Sequence, residues 1–318
     1  MSDAPKNVHL SFVIPVCNEE GTISELFEQI KKSVEEAGEG PMEVIFVDDG
    51  STDDSWKEIT KLYDKYPEEV KALAFRRNFG KAAALAEGFE EACGEIVFTL
   101  DADLQDDPME IPRFLEKICE GYDLVSGWKK DRKDPLGKTV PSRFFNFMTR
   151  MVSGVHLHDF NCGFKAYRRE VVKSITLYGE LHRYIPVLAN GEGFRISEIP
   201  VRHRPREQGV SKYGWKRFLR GFLDLLTVVT TTRYLMRPAH LFGGLGILLG
   251  VLGGGILIYL TAGWFMGFRG IGARPLFFFG ILFTLLSAQF LSLGLVSELV
   301  LKTSNERNKR HLLRERKG

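Results

Sequence analysis

Hydrophobic and polar positions follow two different rhythms in the two parts of this chain. In the first half, short apolar runs alternate with longer amphipathic ones. Leu10 to Val16, Val44 to Val47, Ala72 to Phe75, Ile96 to Leu100 and Leu124 to Ser126 are bounded by polar turns and too short for helices. They read as buried strands. Between them, Thr22 to Ala37, Asp54 to Tyr66, Lys81 to Cys93 and Met109 to Glu120 carry helical periodicity, and Thr22 and Asp53 are placed to cap two of these helices. Strand alternating with helix implies a mostly parallel sheet wrapped by helices. Ligands of such sheets sit beyond the carboxyl ends of the strands.

The last third is a different material. No charged residue occurs from Leu241 to Phe268, nor from Pro275 to Ser297. Each run exceeds the roughly 20 residues that cross about 30 Å of hydrocarbon as a helix. Two core helices of a soluble domain are the alternative, but buried helices are seldom so long and so uniformly apolar. The tail from Lys302 to Gly318 holds seven Lys or Arg against two Glu. By the positive-inside rule the tail is cytoplasmic, the linker Arg269 to Arg274 lies outside, and the N-terminal domain is cytoplasmic too. The expectation is a multi-pass protein of the cell inner (cytoplasmic) membrane with both termini on the cytoplasmic side. Trp215 to Tyr234 mixes Lys216, Arg217, Arg220 and Arg233 with Phe218, Leu219, Phe222 and Leu223, as a helix lying in the headgroup layer would. Arg143 to Val155 fits that role or an ordinary packed helix. The chain thus divides into a cytoplasmic domain over 1–213, an interfacial region over 214–238, two membrane helices within 239–301 (about 241–268 and 275–300) and a basic tail over 302–318.

Composition changes this picture little. Of 318 residues, 44% are hydrophobic and 26% charged, which is ordinary for a globular chain with a proper core. The net charge of +2 conceals an asymmetry: the first 130 residues are acidic, and basic residues dominate from Lys129 to Arg237 and after Lys302. One end therefore suits an anionic membrane surface; no nucleic-acid partner is expected. Cys17, Cys93, Cys119 and Cys162 form no C-x-x-C pair, which argues against a zinc site or a disulfide framework. The N-terminus carries no apolar stretch of the signal-peptide kind.

Candidate chemistry lies at three strand ends. Asp101 and Asp103 follow a buried strand at alternate positions, so both carboxylates, with Gln105, can converge on one point. Hard oxygen ligands in an open site suit Mg²⁺ or Mn²⁺, which bind through one or two carboxylates plus substrate phosphates. An acidic loop after a strand is common, so this pair gains weight from its context. That context is Asp48-Asp49-Gly50-Ser51-Thr52-Asp53 and Pro15-Val16-Cys17-Asn18-Glu19, where a carboxylate can accept from a base N–H or a ribose hydroxyl. Plain strand-to-helix turns explain each segment singly, but poorly explain all three. His156 and His158, with no paired carboxylate at metal spacing, offer no rival centre, and His203 lies in a basic loop.

Ile14-Pro15-Val16-Cys17-Asn18-Glu19-Glu20, Val47 to Asp53 and Asp101 to Pro108 resemble the family 2 glycosyltransferases of GT-A fold. Asp159 to Arg168 and Arg206 to Tyr213 narrow the resemblance to the polyprenyl-phosphate glycosyltransferases, a group including dolichyl-phosphate mannose synthases and bacterial bactoprenol glucosyltransferases. The match runs in order from about Leu10 to Arg237, and paired C-terminal membrane helices fit the bacterial members. One departure is Asp106-Asp107-Pro108, where many relatives carry a second proline. The resemblance implies a Rossmann-like α/β catalytic domain in which Pro15, Asn18, Glu19, Asp49 and Ser51 line the nucleotide pocket, with Asp101 beside it. It implies that Asp101, Asp103 and Gln105 hold Mg²⁺ or Mn²⁺. Lys81 opens a helix near that pocket, as a ligand or as a solvated lysine. Relatives form homo-oligomers, including tetramers.

The acceptor side follows from charge. Lys129, Lys130, Arg132 and Arg143 follow the fifth strand, and Arg206, Ser211 and Lys212 precede the interfacial helix. Arg143, Arg206 and Lys212 are expected to grip a lipid phosphate, the others chiefly to steer it. A phosphate monoester has a second pKa near 6, so the acceptor arrives ionised and needs no strong base. The expected reaction is inverting transfer of a hexose from a nucleotide-diphosphate sugar to polyprenyl (undecaprenyl) phosphate, making a lipid-linked sugar for the cell envelope. Asp103 and Arg143 act on charge, and Asp159 orients the sugar or a phosphate partner. UDP-glucose or UDP-N-acetylglucosamine leads as donor and GDP-mannose follows. A processive polysaccharide synthase would need more spans and a Gln-x-x-Arg-Trp motif. A catalytically inactive nucleotide-sugar-binding scaffold is the reading from another class.

Overall fold

The computed structural model describes residues 9–130, 146–151, 153–177, 179, 181–202, 238–267 and 274–305. The chain divides into two compact units, Met1–Val228 and Val229–Gly318. The first is built on a seven-stranded sheet of order β3-β2-β1-β4-β6-β5-β7. Its strands are β1 (Leu10–Val16), β2 (Met42–Asp48), β3 (Val70–Ala74), β4 (Ile96–Thr99), β5 (Leu124–Trp128), β6 (Lys165–Arg168) and β7 (Ile196–Pro200). Pairing is parallel between β1 and β2, β1 and β4, β2 and β3, and β5 and β7. Only β6 runs antiparallel, against β4 on one side and β5 on the other. This is the GT-A-like, mostly parallel arrangement expected.

Both faces of the sheet are covered, so β2 and β4 are buried throughout. Helices α1 (Ile23–Glu36), α2 (Ser55–Lys65), α3 (Lys81–Glu91) and α4 (Ile111–Cys119) follow the first four strands, close to the sequence pattern. Asp53 Oδ1 accepts from the Ser55 amide at 3.0 Å, but the N-cap position of α2 is Asp54, one residue beyond the expected cap, and its side chain makes no capping bond. Thr22 occupies the N-cap position of α1, but its hydroxyl donates to the Glu19 carbonyl at 3.0 Å and makes no cap. Under the acidic strand ends lies an aromatic cluster. Phe98 stacks on Phe12 with centroids 5.1 Å apart, and Phe114 meets Phe164 at 4.3 Å. Each such ring contributes about 2–3 kcal/mol by burial, which fixes β4 against β6.

The sequence pattern did not reveal β6, β7, α5 (Arg169–Ser174) or α6 (Ile185–Gly191). The strand β6 reads Lys-Ala-Tyr-Arg, with charges at both ends, and its Lys165 is nevertheless only 3% exposed. A buried lysine in a short strand breaks the alternation on which strand recognition rests.

In the second unit, α7 (Pro238–Phe265) and α8 (Pro275–Asn305) pack against each other. Within them, Phe242–Phe265 and Pro275–Ser297 are long and apolar enough to cross a membrane, and only 17% and 11% of their most apolar windows are buried. Most of their Leu, Ile and Phe side chains face outward, which suits lipid and not a water-soluble core. The seam is made of small residues. A Cβ on Gly253 would stand 2.8 Å from the Thr284 amide nitrogen and 2.9 Å from the Gly280 carbonyl oxygen. One on Gly250 would stand 2.8 Å from the Ser287 hydroxyl. Close backbone approach of this kind is how helices associate where the solvent is itself apolar. The expected interfacial helix at Trp215 to Tyr234 and the tail from 306 onward lie outside the described residues.

Candidate active site

The carboxyl ends of β2, β1 and β4 are neighbours, so the loops following them meet on one edge of the sheet. The first two loops are stitched together. Asn18, in the left-handed conformation at φ 58°, donates its amide to the Ser51 hydroxyl at 3.0 Å. Its own Oδ1 accepts from the Thr52 amide at 2.8 Å. The Ser51 hydroxyl donates in turn to Asp48 Oδ1. The Glu19 amide donates to the Ser55 hydroxyl at 2.9 Å. Pro15 is a partly buried residue of β1.

Asp49 turns the other way. Its carboxylate, 4% exposed, accepts from the Phe79 amide at 2.7 Å and from the Gly80 amide at 2.9 Å. Burial pushes its pKa up, with those two amides opposing. Gly50, at φ 67°, allows the loop to lie flat there: a Cβ would fall 2.6 Å from the Asn78 amide nitrogen. Asp49 thereby sets the loop that delivers Lys81 to the first turn of α3.

Lys81 is no solvated surface lysine. Its Nζ forms an ion pair with Asp101 Oδ1. Burial alone would raise the Asp101 carboxyl, but Lys81 and Lys129 outweigh it and hold the group well below the usual carboxylate range. Gly163 makes room for this side chain; a Cβ there would be 2.6 Å from Asp101 Oδ2. Asp103 lies in the opposite state. Burial and the adjacent Asp101 charge push its pKa up to about 6. Its Oδ1 accepts from the Gln105 amide at 3.2 Å, and Leu104 between them takes φ 57°.

Lys129, expected as a steering charge, is only 10% exposed in its side chain and pairs with buried Asp106 at 3.0 Å. Burial would lower its pKa, yet Asp106 and its other anionic neighbours overcome that and hold the ammonium above its ordinary value. Lys130 is exposed, over the Trp128 ring at 5.8 Å. Cys162 beside Lys129 is buried and its thiol is pushed up to about 12 by desolvation, so it stays protonated. Asp159 is 2% exposed, and its Oδ1 accepts from the Asn161 amide at 3.0 Å, closing a local turn. Next to it, His158 stacks on Trp128 at 4.2 Å and pairs through Nδ1 with Glu198 of β7. Arg132, Arg143, Arg206, Ser211 and Lys212 lie outside the described residues.

Among the described residues no group of three His, Cys, Asp or Glu stands ready to hold a metal. Asp101 and Asp103 still fit one of the Mg²⁺ class. Burial, and after it the neighbouring Asp101 charge, raises the Asp103 carboxyl to about 6, and a divalent cation would relieve the repulsion between the two. Gln105 follows on the same loop, and Mg²⁺ ordinarily completes its sphere with water and substrate phosphate.

Sequence reasoning missed a second cluster. Lys81, Lys165, His182 and Arg183 line a cleft with Thr99 and Tyr167. Lys165 donates to the Cys162 carbonyl and, at 3.4 Å, to that of Phe160. His182 keeps its Nδ1 buried without a partner. The one signal in the sequence was the lysine inside Gly-Phe-Lys-Ala-Tyr, a cation where an apolar residue would ordinarily sit.

The model for glycosyl transferase family 2 matches residues 11–176. A dodecaprenyl-phosphate galacturonate synthase of Rhizobium johnstonii is 38% identical over 306 residues, covering 95% of this chain and 90% of that protein. An undecaprenyl-phosphate 4-deoxy-4-formamido-L-arabinose transferase of Pectobacterium carotovorum is 37% identical over 305 residues, covering 94% and 90%. Glucosyl-3-phosphoglycerate synthase from Mycobacterium tuberculosis, solved with Mn²⁺, uridine diphosphate and phosphoglyceric acid, superposes with a TM-score of 0.51 over 71% of this chain and 78% of that one, at 21% identity. That likeness is one of fold. The chain belongs to the family 2 glycosyltransferases, and its relatives put it among the polyprenyl-phosphate sugar transferases.

Proposed function

We propose that the chain transfers a sugar, with inversion, from a uridine-diphosphate donor to polyprenyl phosphate at the cytoplasmic face of the membrane. The observation that carries this is the likeness to lipid-phosphate sugar transferases through 95% of the chain, membrane helices included, with the carboxylate pair intact at the end of β4. A phosphate oxygen of the lipid attacks the anomeric carbon, the bond from that carbon to the donor diphosphate breaks, and the nucleoside diphosphate departs with the electron pair. The acceptor is already ionised, so no group need remove a proton. Catalysis is then mostly positioning and electrostatics.

Asp101, Asp103 and Gln105 would hold Mg²⁺ or Mn²⁺, which when bound neutralises charge on a leaving diphosphate. Lys81 fixes Asp101 and adds positive charge where the diphosphate lies. Asn18, Glu19 and Ser51 shape the nucleotide end, and Asp49 acts through the loop that it holds. Arg143, Arg206 and Lys212 grip the lipid phosphate, and Arg132 and Ser211 chiefly steer it. Lys129 belongs to this side too, but acts at one remove, by neutralising Asp106. Asp159 holds the turn at Asn161 and through it orients the sugar or a phosphate partner. The division into a domain over 1–213, an interfacial region over 214–238, spans within 239–301 and a tail over 302–318 belongs to the same reading, as does a homo-oligomer.

Glucose and N-acetylglucosamine were the leading sugars by resemblance. The relatives' names point elsewhere, to galacturonate and 4-deoxy-4-formamido-L-arabinose. The test uses purified full-length protein in nanodiscs, undecaprenyl phosphate, Mn²⁺ and a panel of radiolabelled donors. Label should enter the lipid fraction with metal and stop with chelator. Donor binding without any lipid label would favour the inactive scaffold.

A further inference from the structure

The two apolar spans, Phe242–Phe265 and Pro275–Ser297, hold no charge and a single side-chain amide, Gln289 of α8. At about 1.5 Å of rise per residue it lies about 12 Å along the axis from Ser297 and about 21 Å from Pro275. A span crossing about 30 Å of hydrocarbon therefore keeps this amide well inside, beyond reach of the headgroups. An amide has two N–H donors and a carbonyl with two lone pairs, and hydrocarbon offers a partner to none of them. Its polar neighbours on α8 are accommodated. The Thr284 hydroxyl donates back to the Gly280 carbonyl at 2.8 Å. Ser287 is buried in the hairpin seam beside Gly250. Gln289 is exposed and makes no hydrogen bond to any described residue.

The other helix of the hairpin does not supply the missing partner. Gly280, Thr284, Ser287 and Leu291 are the α8 residues that meet the glycines or leucine of α7. With about 100° of turn per residue, Gln289 stands about 140–200° around the helix from each of them, on the opposite face. On that side Leu282, Leu285, Gln289, Ser292 and Val296 follow one another at spacings of three and four, and all are exposed. This is the spacing of a helix-packing stripe, with one polar residue near its middle.

Resting on the reading of α7 and α8 as membrane helices, we infer that this face of α8 packs against the same face of α8 in a second copy, with the two Gln289 amides hydrogen-bonded to each other. Two features select a second copy over another membrane protein. An amide is donor and acceptor at once, so two of them related by a two-fold axis satisfy each other. Two copies inserted the same way also carry Gln289 at the same depth, whereas an unrelated helix would need a polar group placed at that level by its own sequence. Ser292, small and about one turn further on, lets the two helices approach closely. The lone amide in an otherwise apolar stripe then fixes the register, because any sliding of one helix along the other separates the pair.

Self-association is measured by energy transfer between donor- and acceptor-labelled full-length protein in phosphatidylcholine vesicles, over a series of protein-to-lipid ratios. The unaltered protein should associate at high ratio and dissociate on dilution. Gln289→Leu should weaken association about 10-fold, a difference of about 1.4 kcal/mol. Leucine suits a lipid-facing position, so this variant should still float with the vesicles. Ile258→Ala, at an exposed position of α7, should leave association unchanged. An unaltered protein that stays monomeric at every ratio would overturn the inference, and would leave Gln289 to a different membrane protein. Association that survives Gln289→Leu would overturn it too, as would an equal loss in Ile258→Ala. The underlying reading fails separately: protein that does not float with vesicles removes the membrane helices themselves, whereas protein that floats and transfers sugar without a Gln289-dependent pair removes only this interface.

Discussion

Lys81 Nζ and Asp101 Oδ1 form an ion pair that joins the first residue of α3 to the first carboxylate of the Asp101–Asp103 pair. Twenty residues and a whole helix separate them in the chain. The loop that carries Lys81 is held in turn by Asp49, through the Phe79 and Gly80 amides. Three strand ends therefore act as one object: β2 sets the loop, the loop sets the lysine, and the lysine sets the carboxylate.

Removing that lysine should separate two effects. In Lys81→Met, Asp101 loses a competing cation, so Mn²⁺ should bind the donor-free protein more tightly, by about 10-fold. Transfer should nevertheless fall about 100-fold, because positive charge beside the diphosphate is gone. Metal titration by electron paramagnetic resonance and a lipid-transfer assay read the two separately. Weaker metal binding in the variant would mean that Lys81 organises the site instead of competing for it.

Asp103→Asn should abolish transfer while making the metal-free protein more stable. The folded-state pKa is raised, from 3.8 to about 6, so the native state binds more protons than the unfolded chain between those values. Stability therefore falls as pH rises through that window, and the full penalty is present above about pH 6. The asparagine escapes it. Its advantage should grow from nothing below about pH 4 to about 1–2 kcal/mol at pH 7, after allowing for partial screening by water. Thermal unfolding with chelator at pH 4, 5, 6 and 7 checks the sign; an advantage that is flat with pH would contradict it.

Lys129 and Asp106 give a different test. Lys129→Met strands a carboxylate that is 1% exposed, which should cost about 3–5 kcal/mol. The double variant Asp106→Leu with Lys129→Met should recover most of this, since two well-packed apolar residues leave no lone charge. Denaturant unfolding of both variants measures the recovery, and an additive loss would mean that the pair does more than cancel charge.

The membrane hairpin can be probed one glycine at a time. Gly253→Leu should force α7 and α8 apart, because its Cβ would already stand 2.8 Å from the Thr284 amide nitrogen. Gly254→Leu, one position along, has nothing within 4 Å of its Cβ and should be tolerated. Thermal stability in detergent should drop by several degrees in the first and hold in the second. Equal effects would show that helix propensity, not the seam, governs this hairpin.

What was legible beforehand follows a physical line. The first five strands and four helices repeat a strict apolar rhythm, and the carboxylates stand at strand ends where a turn exposes them. Those features are local, and the chain displays them residue by residue. The partners are not local. That Lys129 is spent on Asp106, or that Asp49 serves a loop 30 residues away, depends on which strands lie side by side. Lys165, His182 and Arg183 come together only because β6 turns back between β4 and β5, and a four-residue strand with two charges offers no rhythm to read.

That insertion of β6 bears on how the protein is made. While the ribosome is still short of residue 165, β4 has a neighbour only at β1, and β5 has no partner on its β4-facing side. Both present open edges, the kind that invite pairing with other chains. One late strand closes both at once, and the same stretch brings Gly163 against Asp101. The nascent domain thus joins its two halves once β6 is made, and β7 at Ile196–Pro200 later covers the other side of β5. It does so before the first membrane helix, which begins at Pro238, has been translated. A polypeptide released between those points would already carry its carboxylate pair in place, with nothing yet to hold it at a bilayer through α7 and α8.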